Sequence, residues 1–302
     1  MKKKAVVTGG GGFIGSNLAA ALVEAGWEAH LVDIDFGFRD ATLPAAAIRH
    51  QLDLRDTAKL QEVCDGADVV FHTAALPRVP YSIEYPVETT EANVVGTVSV
   101  LTAAARAKAR RVVYSASSSA YGAQETMPLS EAMLASPVHP YGLQKYVGEL
   151  FCKLWVDVYG LETVSLRYFN VYGPGLDPRG AYALAIGKFL EARQNGTPIT
   201  IFGDGTVTRD FTHVRDVVRA NMLAAEKGSV GKGEAINIGS GRNITIQALA
   251  EMFGGEIQYG PPRIEAHDTR ADNRLAKELL GWEPQVSLED GIAELKTLFG
   301  LG

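Results

Sequence analysis

The first third of the chain alternates short uninterrupted apolar runs with longer stretches whose apolar residues recur at helical spacing. Ala5-Val6-Val7 predicts a fully buried strand. Phe13–Ala25 predicts a helix, because Ile14, Leu18 and Leu22 fall on one face at i, i+4 and i+8. The alternation continues with strand His30-Leu31-Val32 ending at Asp33, helix Asp56–Cys64, strand Val69-Val70-Phe71 and an Ala/Val-rich helix over Asn93–Ala107. Strand Arg111-Val112-Val113-Tyr114, helix Tyr141–Tyr159 and strand Thr163–Arg167 complete it. Continuous apolar runs imply strands covered on both faces, and crossovers of helix length imply parallel order. The expected fold is α/β, a doubly wound parallel sheet.

Past Asn170 the texture changes. Proline and glycine cluster at Gly173-Pro174-Gly175, Asp177-Pro178-Arg179-Gly180 and Gly203-Asp204-Gly205, and the alternation becomes irregular. This pattern predicts a smaller, interleaved α+β domain over the carboxyl ends of the strands. The expected division is 1–168 and 169–302, with about 206–240 returning to the first domain.

Composition narrows the class. A chain of 302 residues that is 46% hydrophobic and 21% charged has enough apolar surface for a core, which excludes a disordered or collagen-like chain. The 29 Lys+Arg against 35 Asp+Glu give a net charge of −6, without the basic field that nucleic acid or an anionic membrane surface requires. Cys64 and Cys152 are in no metal spacing and cannot make a disulfide framework, so free thiols in a reducing compartment and no metal site are expected. After the lysines at positions 2–4 the apolar run stops at Thr8, too short for an export signal, and no uncharged stretch spans a bilayer. The expectation is a soluble, cytoplasmic protein.

Two groups of residues carry chemistry. Thr8-Gly9-Gly10-Gly11-Gly12-Phe13-Ile14-Gly15 stands between the first strand and the first helix, with Gly9, Gly12 and Gly15 in G-x-x-G-x-x-G spacing. Glycine there permits a tight turn and lets backbone N–H groups approach a pyrophosphate at a helix N-terminus. Asp33 closes the second strand, where an acid hydrogen-bonds adenosine ribose hydroxyls and repels a 2′-phosphate, so the loop predicts a Rossmann-type NAD site and disfavours NADP. The second group is Tyr141-Gly142-Leu143-Gln144-Lys145, which puts a phenol and an ammonium one helical turn apart, together with the serines Ser115, Ser117, Ser118 and Ser119 after Tyr114. An ammonium beside a phenol favours the phenolate, the form that serves as a base.

Over essentially its whole length the chain resembles the extended short-chain dehydrogenases/reductases of the NAD-dependent epimerase/dehydratase family that act on nucleotide sugars, and is most similar to the UDP-hexose 4-epimerases. The resemblance is carried by Thr8–Gly15, Phe71-His72-Thr73-Ala74-Ala75, Asn93-Val94-Val95-Gly96-Thr97, Ser117 to Tyr121-Gly122, and Tyr141–Lys145. It continues through Arg167-Tyr168-Phe169-Asn170, Gly203-Asp204-Gly205 with Arg209-Asp210-Phe211, and Leu279-Leu280-Gly281-Trp282-Glu283-Pro284.

The resemblance implies that Tyr141 is the catalytic base, that Lys145 holds the nicotinamide ribose and tunes the phenol, and that Ser117 hydrogen-bonds the sugar hydroxyl. It implies that Phe13 and Ile14 meet the pyrophosphate through their backbones and that Asp53 and Leu54 border the adenine. Ala74, Ala75, Asn93 and Phe169 would line the rest of the cofactor cleft. Asn170 and Arg209 match uridine-diphosphate contacts. Arg263 stands where a second phosphate ligand is expected, although Arg263-Ile264-Glu265-Ala266 departs from the family's Arg-x-Gly-Asp, and Arg270 competes for that place.

The implied activity is 4-epimerisation of a UDP-hexose such as UDP-glucose or UDP-galactose through a 4-keto intermediate. UDP-N-acetylglucosamine or UDP-glucuronate epimerisation and nucleotide-sugar reduction are the alternatives. Ser118 and Ser119 stand where related dehydratases carry acidic or polar partners, which disfavours chemistry at C5. A homodimer is also implied, with Val98 and Leu101 on one helix and Phe151, Leu154 and Trp155 on another supplying the apolar surface.

Overall fold

The computed structural model describes residues 2–178, 185–262 and 268–301. From the N-terminus run β1 (Lys4–Thr8), α1 (Phe13–Glu24), β2 (Glu28–Asp33), β3 (Ile48–Gln51), α2 (Thr57–Cys64) and β4 (Val69–His72). Two short helices, α3 (Val79–Glu84) and α4 (Pro86–Thr90), lead through a π-helical turn (Glu91–Val95) into α5 (Gly96–Arg106). Then come β5 (Arg111–Ser117), α6 (Pro140–Tyr159), β6 (Glu162–Tyr168), β7 (Val171–Tyr172), α7 (Ala185–Asn195) and β8 (Ile199–Phe202). The remainder is β9 (Thr208–Arg209), β10 (Thr212–His213), α8 (Val214–Glu226), β11 (Lys232–Ile238), β12 (Ile244–Thr245), α9 (Ile246–Phe253), β13 (Ile257–Gly260), α10 (Arg274–Leu280) and α11 (Leu288–Leu298).

Seven strands form one parallel sheet in the order β11-β6-β5-β4-β1-β2-β3. Strand order reverses between β1 and β4, and a doubly wound sheet opens a crevice at such a point, outside the carboxyl ends of its strands. The glycine loop leaves β1 there, and the segment Thr73–Pro77 leaves β4 beside it. β4 and β5 are buried at every position, as uninterrupted apolar runs require.

The chain beyond Asn170 does not stay apart. β11 is the outermost strand on one side of the sheet, and α8 packs on α1. Val214, Val217 and Ala220 of α8 share one apolar core with Leu18 and Leu22 of α1. The pairs β7–β10, β9–β12 and β8–β13 are small separate sheets beyond the strand ends.

Three features differ from the sequence expectations. β3 was not predicted, because Ile48-Arg49-His50-Gln51 is an edge strand with little apolar signal. α3 and α4 are each shorter than two turns and leave no periodic stripe. β5 runs on to Ser117 instead of stopping at Tyr114, so Ser115 and Ser117 belong to the strand. The apolar surface expected of α5 and α6 also needs correction. Leu101 is fully buried and Trp155 is 7% exposed, both packed into the core beside β5, whereas Leu143, Leu150, Leu154 and Val158 of α6 and Val95 are exposed. Among the described residues no helix is long and apolar enough to cross a membrane.

Candidate active site

The glycine loop is pinned to the neighbouring strands by its main chain. Gly9 N donates to Val32 O at 2.8 Å, and Gly12 N to Gly9 O at 2.9 Å. Gly9 has φ +71°, and a Cβ there would lie 2.7 Å from Ala74 Cα. A Cβ on Gly15 would fall 2.1 Å from Gly9 O. Neither position admits a side chain, which keeps the loop flat against the end of α1. Gly11 N donates to Asp33 Oδ2 at 2.9 Å, so the carboxylate at the end of β2 is fixed beside the loop, while burial pushes its pKa up.

This crevice is a cavity of about 630 Å³. Its wall includes Gly9, Gly12, Phe13, Ile14 and Gly15, then Asp33, Asp53 and Leu54, then Ala74 and Ala75, and at the far end Ser117, Tyr141 and Lys145. Thus the two groups of residues recognised separately in the sequence meet in one space. Asn93 and Phe169, expected in the cofactor wall, do not line it. Asn93 is buried behind the wall with its carboxamide on Leu76 and Gln144, and Phe169 is buried against Tyr121 in a separate apolar cluster.

The wall also contains residues that the sequence did not single out. Arg55 grips Asp53 at 2.6 Å and Glu91 at 3.1 Å, and Asp35, Glu88 and Leu176 complete the rim. An acid–x–arginine spacing at Asp53 and Arg55 was the only available signal, and it is common on any surface.

α6 delivers Tyr141 and Lys145. It starts where Pro140 occupies the first turn and His139 Nδ1 accepts from Gly142 N at 3.0 Å, and it ends at Gly160 in left-handed conformation. Tyr141 N donates to Ser82 Oγ at 3.2 Å, which fixes the first turn against α3. Burial pushes the Tyr141 phenol up to about 12, opposed by its hydrogen bond with Ser117. Burial pushes Lys145 down to about 8. Its Nζ donates to Ser115 O at 2.8 Å and lies 4.9 Å from the centre of the Tyr114 ring. Ser117 Oγ accepts from Ser119 N at 3.2 Å, which orients the hydroxyl at the end of β5.

His72, just below the cleft, is buried between two threonines. Thr97 Oγ1 donates to Asn93 O at 2.6 Å, so it accepts from His72 Nε2–H at 2.9 Å, and His72 Nδ1 accepts from Thr8 Oγ1 at 2.8 Å. The ring is held neutral, its pKa pushed down to about 3 by burial. Ser118 and Ser119 form a short 3-10 turn with Ala120 and bring no carboxyl group to this end of the cleft. Among the described residues no group of three or more His, Cys, Asp and Glu is placed to hold a metal ion.

Of the expected uridine-diphosphate contacts, Asn170 and Arg209 lie outside the cavity wall, as does Arg270. Asn170 has φ +31° and donates through Nδ2 to Asp210 O at 2.7 Å. Arg209 donates to Thr208 O at 2.8 Å from the β9 edge, and Arg270 O accepts from Leu129 N at 2.7 Å. Fully buried Asp210 ties these pieces together by accepting from Ser240 N at 2.7 Å, Gly241 N at 3.0 Å and Ala271 N at 2.9 Å. Arg263 lies outside the described residues.

The residues fit NAD. The flat loop that Gly9 and Gly15 permit, the acid fixed at Asp33 and a cleft ending at Tyr141 and Lys145 match a pyrophosphate, a ribose and a nicotinamide ribose in turn. Residues 5–239 match the model of the NAD dependent epimerase/dehydratase family. The chain is 37% identical to a putative UDP-glucose 4-epimerase of Methanocaldococcus jannaschii, over 95% of each protein. It is 34% identical to the UDP-glucose 4-epimerase of Mycolicibacterium smegmatis, over 98% of each. Its structure is similar to that of UDP-glucose 4-epimerase from Thermotoga maritima with UDP-glucose, with a TM-score of 0.92, 34% identity and 98% of both chains covered. These matches span the sheet and the smaller layer alike, and the chain belongs to the NAD dependent epimerase/dehydratase family.

Proposed function

We propose that the protein is an NAD-dependent 4-epimerase of a UDP-hexose, interconverting UDP-glucose and UDP-galactose through a 4-keto sugar. The observation that carries the reading is the meeting of Ser117, Tyr141 and Lys145 with the glycine loop in one cavity of about 630 Å³. When bound, NAD supplies reversible hydride acceptance. Gly9, Gly12 and Gly15 with the backbone of Phe13 and Ile14 would hold its pyrophosphate, Asp33 its adenosine ribose, and Lys145 its nicotinamide ribose.

Tyr141 takes the proton of the C4 hydroxyl and later returns it. A phenol raised to about 12 by burial is a poor base by itself. The Lys145 ammonium and a hydrogen bond from Ser117 stabilise the phenolate, and each pKa unit gained is worth about 1.4 kcal/mol. Ser117 also holds the sugar hydroxyl. Arg209 and Asn170 hold the uridine diphosphate, with Arg209 on the diphosphate, while the keto-sugar turns and presents its other face to the cleft. A guanidinium suits that task because its planar fork binds phosphate oxygens bidentately. Arg263 or Arg270 is the second phosphate ligand.

Two neighbours keep an N-acetylated or uronic hexose as the second reading. A UDP-N-acetylglucosamine 4-epimerase from Methanobrevibacter ruminantium has a TM-score of 0.91 and a UDP-glucuronic acid 4-epimerase from Bacillus cereus one of 0.88. The exposed stripe Leu143, Leu150, Leu154 and Val158 on α6, with Val95, supports a homodimer, which sedimentation at several concentrations tests. Buried free Cys64 and Cys152 support a cytoplasmic location. The functional test is NMR of products from a panel of UDP-sugars with purified protein and no added cofactor. Conversion of UDP-glucose and UDP-galactose into each other is expected. Conversion of only another sugar, or a requirement for stoichiometric reduced cofactor, overturns the reading.

A further inference from the structure

Behind the cleft wall, two buried carboxamides form a chain of hydrogen bonds that the proposed chemistry does not use. Gln144 lies on α6 between Tyr141 and Lys145 and is 4% exposed. Its Oε1 accepts from Asn93 Nδ2 at 2.8 Å, and its Nε2 donates to Thr89 Oγ1 at 3.0 Å and Thr90 Oγ1 at 3.1 Å. Both threonine hydroxyls donate elsewhere, Thr89 to Tyr85 O at 3.0 Å and Thr90 to Pro86 O at 2.7 Å. They therefore act as acceptors toward Gln144, which fixes which way its amide points.

Asn93, in the π-helical turn, continues the chain. Its Oδ1 accepts from Leu76 N at 2.8 Å, and its Nδ2 also donates to Leu76 O at 3.1 Å. One side chain thus holds both main-chain groups of a residue in the cleft wall. Two residues before Leu76 stands Ala74, whose Cα would be 2.7 Å from a Cβ on Gly9. A continuous path of contacts therefore leads from the helix bearing Tyr141 to the glycine loop.

We infer that Gln144 is a positioning residue for the cofactor cleft: acting through Asn93, it locks α6 to the wall segment Ala74–Pro77, and through Ala74 to the glycine loop. Wide π-helical turns recur at functional sites, and here the turn brings Asn93 between the two parts. Buried amide networks fix one arrangement of the elements they join because an unpaired member is costly. Gln144 touches neither reacting atoms nor the cavity, so its effect falls on the shape of the cleft and not on proton transfer. The inference rests on the reading of this cavity as the NAD cleft.

The test is Gln144→Leu, which keeps the size of the side chain and removes its amide. The hydroxyls of Thr89 and Thr90 keep their carbonyl partners, and Asn93 keeps Leu76, so the variant is expected to fold. Three quantities are compared with the parent: loss of NAD from purified holoenzyme on gel filtration, KM for added NAD, and the pH dependence of kcat. NAD affinity is expected to weaken by about tenfold, with kcat at saturating NAD within about threefold and an unmoved pH profile. Hydrogen exchange at the Leu76 amide is expected to speed up. NAD affinity equal to the parent's overturns the inference, as does a fall in kcat with affinity retained. A parent that binds no NAD overturns both this inference and the proposed function, whereas a matching variant overturns the inference alone. If Gln144→Leu does not accumulate, Gln144→Thr, too short to reach Asn93, is read in the same way.

Discussion

The two ends of the site are built by different means. At the cofactor end, one short loop is pinned to the adjacent parallel strand by its own main chain: Gly9 bonds to Val32, Gly12 to Gly9, and Gly11 to the carboxylate that closes β2. At the proposed substrate end, separate loops are gathered by one buried carboxylate, Asp210, which accepts from main-chain groups at residues 240, 241 and 271. A loop pinned between a strand and a helix is stiff once those elements form. A site made of several loops depends on the charge that joins them, and it can differ among relatives that share the first.

That contrast predicts separable losses. The largest belongs to the chemistry both ends serve. Tyr141→Phe is expected to lower kcat by about 10²- to 10⁴-fold, the usual cost of losing a general base, while NAD and UDP affinities stay near the parent's. Steady-state rates and calorimetry check both halves of that statement. Arg209→Ala is expected to weaken UDP by about 1.5–3 kcal/mol, the scale of a hydrogen bond to a charged group, and to leave NAD alone. Equal weakening of both ligands in calorimetry would erase the division between the two ends. Asp33→Ala is expected to narrow the preference for NAD over NADP and to leave UDP affinity unchanged, as measured by titration with each dinucleotide.

The last effect is one of pH. Lys145 is buried and lowered to about 8 from its ordinary value of 10.5, so its charge costs stability in full below pH 8. As pH rises from about 8 toward 10.5 the folded protein sheds this proton while the unfolded chain keeps it, so the cost fades. Lys145→Met is therefore expected to be more stable than the parent at pH 7 in denaturant unfolding. The gap should shrink steadily above pH 8, and a constant gap would reject the burial argument.

How much of this was legible follows from the same contrast. Gly9–Gly15, Asp33 and Tyr141–Lys145 could be read because each motif is short and sits at the end of a strongly apolar strand or on a regular helix. Their meeting in one cavity follows from parallel strand order, which the alternation of elements predicts. Asn93 was placed in the cleft wall because its motif is read as a string, whereas burial and its two bonds to Leu76 put it one layer behind. Gln144 gave no signal at all, since a glutamine within a helix is ordinarily a solvated residue. Helical periodicity locates an apolar stripe but not which stripe faces the sheet, so Leu101 and Trp155 read as surface although both belong to the core. In sequence Asp210 stands only within Arg209-Asp210-Phe211, and its role emerges when residues 129–131, 239–241 and 268–272 come together in space.

In the proposed reaction, hydrogen leaves and returns at C4 within one site, with no chemistry at C5. Ser118 and Ser119, in the turn that follows Ser117, offer no carboxyl group for removing a C5 proton. The direct measurement is turnover of UDP-galactose in heavy water with no added cofactor, the product examined by proton NMR and mass spectrometry. UDP-glucose with no deuterium at C4 or C5 is expected. Deuterium at C5, or a 6-deoxy-4-keto sugar in the mass spectrum, would contradict the proposed reaction.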